Sequence, residues 1–109
     1  MITDEKELYK KFTERNDDYV HVDKSIEFIE ACLKNKVAIL GIDGLVINDE
    51  ILPMMEYITD FSTIKYSSWE EFVIKSTELA KEFLKSVPHS SDLYFDIVIE
   101  IKKNKDSPS

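Results

Sequence analysis

The chain has 109 residues, 43% of them hydrophobic and 33% charged, which suits one domain with a packed core and argues against intrinsic disorder. Its 22 Asp and Glu against 14 Lys and Arg leave a net charge of −8. That balance disfavours direct binding to nucleic acid or to an anionic membrane, because both need a basic face. The single cysteine, Cys32, excludes an internal disulfide and a cysteine-based zinc cluster, and two glycines leave no room for a glycine-rich phosphate loop.

The N-terminal Met-Ile-Thr-Asp-Glu-Lys has no apolar stretch behind its charges, so no secretory leader is expected and the location expected is cytoplasmic. Residues 4–15 are predicted helical, with Asp4 and Glu7 at capping-box spacing and Leu8, Tyr9 and Phe12 on one side. Asn16, Asp17 and Asp18 read as a break. A second helix is predicted from Asp23, a good N-cap, to about Asn35. Val22, Ile26, Ile29 and Leu33 recur at helical steps there, and Phe28 and Cys32 widen the stripe, which makes Cys32 a core residue rather than a nucleophile.

Residues 37–42 are too short an apolar run for a helix or a membrane span and read as a buried strand. Asp43-Gly44 is a turn signal, so Leu45, Val46 and Ile47 are expected to return as the second strand of a hairpin, with Asn48-Asp49 as a further turn. Residues 50–62 have two patterns: Ile51, Met54, Met55 and Ile58 fit a helical face, while Met55, Tyr57, Thr59 and Phe61 fit one side of a strand. Pro53 opposes both a long helix and a central strand, which favours an extended edge segment. Ser68 and Glu71 form a capping box opening a helix over 69–87, striped by Trp69, Phe72, Val73, Ser76, Leu79, Ala80, Phe83, Leu84 and Val87, and Pro88 ends it. Leu93, Phe95, Ile97, Ile99 and Ile101 alternate with Tyr94, Asp96, Val98, Glu100 and Lys102, the pattern of a half-buried strand.

These elements predict an α+β fold: an antiparallel or mixed sheet of about three to four strands, with two to three helices packed on one face. Residues 1–102 are expected to form a single domain and 103–109 a frayed tail.

The charge is uneven. Residues 1–36 carry nine acids and seven bases, and residues 65–109 eight and seven, but residues 37–64 carry five acids and no Lys or Arg. Those five are Asp43, Asp49, Glu50, Glu56 and Asp60. Like charges without partners repel and cost folding stability, so the stretch is either a solvated loop region or a docking face for a cationic protein surface. Tyr57 and Phe61 flank Asp60, and Met54 and Met55 precede Glu56, residue types enriched at interfaces. Tyr57 is the expected anchor, while Phe61 and at least one of the methionines are expected in the core.

Catalytic chemistry is hard to find. His21 and His89 each sit beside an element boundary, outside any His-Glu-x-x-His or comparable spacing, so neither a metal nor a cofactor is expected. Asp49 with Glu50, or Glu56 with Asp60, could serve acid–base work only in a pocket that shifts their titration.

The run Val-Ala-Ile-Leu-Gly-Ile-Asp-Gly at 37–44, Ile51-Leu52-Pro53, and Tyr57-Ile58-Thr59-Asp60-Phe61-Ser62 resemble the bacterial colicin-type immunity proteins. The resemblance covers residues 22–101, including the long helix and final strand that follow in that family. It implies a cytoplasmic inhibitor that binds a cognate toxin with a basic surface, a nuclease by expectation. The contacts expected from the charge and aromatic pattern are Asp43, Asp49, Glu50, Glu56 and Asp60, with Tyr57 as anchor. Two other readings suit the same residues: a nucleic-acid-mimicking regulator of a host nucleic-acid-binding protein, and a small carboxylate-dependent enzyme.

Overall fold

A computed structural model of the chain describes residues 19–101. The helix predicted over 4–15 and the tail over 103–109 lie outside the described residues. Six elements follow in order: β1 (Val20–His21), α1 (Val22–Lys34), β2 (Val37–Ile47), β3 (Ile51–Asp60), α2 (Trp69–Ser86) and β4 (Leu93–Ile101). The strands form one four-stranded sheet in the order β1-β4-β2-β3, antiparallel at every pairing. The α+β class and the edge position of residues 51–60 are as the sequence predicts.

The alternation in β4 sorts its side chains cleanly. Leu93, Phe95, Ile97 and Ile99 are buried, whereas Val98 and Glu100 are exposed. The buried side meets Phe28, Ile29 and Cys32 of α1, Ala80 and Leu84 of α2, and Ile39 and Ile42 of β2 in one core. Burial pushes the Cys32 thiol up, away from the reactive thiolate, as its place in that core requires.

Helix ends follow local chemistry with one change. Ser68 caps α2, its Oγ accepting from the Glu71 N–H at 3.1 Å, and the Glu71 carboxylate reaches back to accept from the Ser67 N–H at 2.8 Å. The cap of α1 is His21 rather than Asp23: its Nδ1 accepts from the Asp23 N–H at 3.2 Å, while Asp23 occupies the first turn, where an acid complements the helix dipole. Leu79, placed on the inner stripe of α2 by its spacing, is 40% exposed, and Thr77 is buried in its place.

The larger correction concerns β2. Asp43-Gly44 makes no turn, and the strand runs unbroken over 11 residues. No glycine among the described residues has a positive φ, so Gly44 serves another purpose. A Cβ built there would lie 2.6 Å from Tyr57 Cβ, and glycine is what lets β3 cross so close. The hairpin turn falls instead at Asn48, whose Oδ1 accepts from the N–H groups of Asp49 and Glu50 at 2.6 and 3.3 Å.

The first residues of β2 extend past the end of β3, and α2 covers the edge left there. Ala38 packs with Phe72 and Val73 in a second small cluster. The buried Ser76 Oγ accepts from the Ile39 N–H at 3.0 Å, so an exposed strand edge is replaced by a helix.

Candidate protein-docking surface

The cation-free stretch is the β2–β3 hairpin plus the loop after it. Two hydrogen bonds fix how its backbone is oriented. Ile47 N–H donates to Asp92 O at 2.9 Å and Asn48 N–H donates to Glu50 O at 3.2 Å. Beyond the irregularity at Leu40, alternation turns odd-numbered residues of β2, 41–47, toward β4 and even-numbered ones toward β3. Leu45 pairs with Pro53, so Pro53 directs its missing N–H to the open edge, where no ladder bond is lost. At the other end Phe61 N–H donates to Leu40 O at 2.8 Å, which leaves the backbone groups of Ile58 and Asp60 on that same open edge.

Between these ends the register slips. Asp43 pairs with Ile58 and Leu45 with Pro53, so the single residue Gly44 faces four residues of β3, 54–57. Met54, Met55 and Glu56 are the surplus, and they form a long bulge on the edge strand.

The predicted contact residues distribute along this hairpin in distinct settings. Asp49 and Glu50 are exposed at its turn, and Glu56 is exposed in the bulge. Asp43 is half-buried at mid-strand, on the sheet face turned away from α1 and α2, in register with Asp96 of β4. Asp60 ends β3 on the same face. Its Oδ1 accepts from the Ser62 N–H at 2.8 Å, and hydrogen bonding from Ser62, hydroxyl and backbone together, holds the carboxyl below the usual aspartate range. No ion pair among the described residues involves any of the five acids.

Tyr57 is not with them. It is half-buried and packs against the main core from the helix-bearing side, beside Gly44. Phe61 is buried, as expected, and Met54 is half-buried. Ile51, Leu52 and Ile58 of the hairpin are exposed, and Met55, at 78%, is the most exposed large hydrophobic side chain among the described residues. Period-two counting put Met55 and Tyr57 on one side of a strand, but that counting fails across a bulge, which only long-range pairing sets. Two further acids, Asp96 and Glu100, share the face of Asp43; the alternation within β4 already marked them as outward. Leu45 is buried on that face, so the face is not uniformly open.

Both histidines lie near Asp23. Both ring nitrogens of His21 are engaged, Nδ1 in the helix cap and Nε2 with Ser91 O at 2.8 Å. His89 Nδ1 lies 3.7 Å from Asp23 Oδ1. Among the described residues no group of three His, Cys, Asp or Glu could hold a metal ion. The carboxyls of Asp60 and Glu71 are both held low, the direction opposite to a general acid. A groove along α2, lined by Ile64, Leu79 and alternating lysines and glutamates, lies apart from the hairpin acids. Among the described residues no helix is long and apolar enough to cross a membrane.

No family model matches this sequence, and no curated protein or solved structure shows a significant match to it.

Proposed function

We propose that this chain is an immunity protein of the colicin type, a cytoplasmic inhibitor that neutralises a cognate basic toxin, a nuclease, by stoichiometric binding. The observation that carries the reading is the β2–β3 hairpin. It presents Asp43, Asp49, Glu50, Glu56 and Asp60 with no Lys or Arg in residues 37–64 and no ion pair to neutralise them among the described residues. A nuclease is cationic where it meets its polyanionic substrate, so the carboxylates of this hairpin can meet that surface in place of phosphates. Their summed field speeds encounter, up to about 10⁸–10⁹ M⁻¹s⁻¹ at low salt. Specificity then comes from which carboxylate meets which cation, and from apolar contacts among them.

Co-purification from the native host, with the product of the neighbouring gene identified by mass, tests this reading. The expected result is a 1:1 complex with a basic protein, whose affinity falls steeply as salt rises. Charge reversal at Asp49 and Glu50 together weakens it further, on the order of tenfold or more. Binding that is tight and indifferent to salt would remove the electrostatic mechanism. A complex with a chromosomal nucleic-acid-binding protein instead of a toxin would identify the chain as a nucleic-acid mimic.

A further inference from the structure

We infer that the apolar anchor of this docking surface is Met55, at the apex of the β3 bulge, and that its occupant is a cationic protein partner with an apolar pocket ringed by Lys or Arg. The inference rests on the inhibitor reading above and specifies how that surface would bind.

Two things about β3 need a common explanation. Four of the nine large hydrophobic residues exposed among the described residues, Ile51, Leu52, Met55 and Ile58, lie in this one ten-residue strand. Its pairing with β2 is also broken by three surplus residues. A bulge on an edge strand has a protective use, since it stops two sheets joining edge to edge. Pro53 on the open edge and the adjacent carboxylates already serve that end. Protection alone would be satisfied by a polar apex, yet the apex is a methionine, 78% exposed, with Glu56 beside it in the chain. Bulges re-aim side chains, and this one turns Tyr57 inward against the core while leaving Met55 outside.

The occupant follows from charge. A second copy of the chain would bring five acids against five, with no cation in residues 37–64 of either, and like charges across an interface cost several kcal/mol. A cationic partner meets the same acids favourably. Methionine is flexible and polarisable, so it fills an irregular pocket, and the exposed Glu56 next to it in the chain meets a cation at the pocket's rim.

The test uses the product of the neighbouring gene, expected on this reading to be basic, purified and titrated against the full-length chain and its variants by calorimetry. Met55→Asp is expected to weaken binding on the order of tenfold or more with an unchanged melting temperature. Met55→Leu should bind within a few-fold of the original, and Ile74→Asp, on the exposed side of α2, should bind as the original does. If Met55→Asp binds like the unmodified chain, the anchor is overturned and the inhibitor reading stands. If the unmodified chain forms no complex, both fall. If sedimentation shows a dimer of this chain that Met55→Asp dissociates, the occupant is a second copy and the inference is likewise overturned.

Discussion

β2 has a different neighbour on each side, and the two strands do opposite things. β4 pairs with it through nine residue pairs, with one irregularity, at Leu40, and buries every second side chain. β3 pairs through six, skips three residues, directs a proline and two further backbone positions to the open edge, and buries none of its ten residues fully. One side of β2 therefore anchors the fold and the other displays side chains. The lesson is that strand pairing alone does not measure a strand's share of stability. What counts is the apolar area that pairing removes from water.

The widest test of that contrast compares two isoleucines. Ile97→Ala in β4 empties a fully buried site and should cost about 2–5 kcal/mol in urea denaturation. Ile58→Ala in β3, where the side chain is 42% exposed, should cost under about 1 kcal/mol. Equal losses would show that β3 is as much a part of the core as β4, and would undo the division.

A mid-sized effect is expected at the point where the two halves meet. Gly44→Ala places a methyl group 2.6 Å from Tyr57 Cβ, closer than the two carbons can pack, so β3 must shift, at a cost of about 1–3 kcal/mol. Amide shifts from the variant should change mainly across residues 54–58 and little in β4. A perturbation centred on β4 instead would mean that the bulge is not held in place by Gly44.

The smallest effect belongs to the far end of β3. The Asp60 carboxyl is held low by Ser62, so its folded-state value lies below the ordinary aspartate value of about 3.9. The contribution is present above that ordinary value and is lost as pH falls through the folded-state value. The Ser62 amide resonance should move over that acid range, and in Asp60→Asn the movement should vanish. Persistence of the movement would place the hydrogen-bond acceptor elsewhere.

Much of this was legible along the chain because it depends on neighbours in sequence. The Ser68 cap, the α2 stripe apart from Leu79, and the alternation in β4 each follow from residues within a few positions of one another. The absence of cations between residues 37 and 64 is likewise a property of order alone. The fate of Asp43-Gly44 was not readable in that way. Taken locally it is a turn, but as the partner of Tyr57 it is a gap that lets two strands approach, and that pairing joins residues 13 positions apart. The same distance effect reversed Tyr57 and Met55. Side-chain period assumes an unbroken ladder, and the three surplus residues in β3 shift it by an odd number, which sends an expected anchor into the core and an expected strand neighbour out to solvent. Charge content and local capping are inherited from composition and short spacing. Which side of the sheet a residue faces depends on where the chain meets itself, because register is set by contacts that no short window of sequence contains.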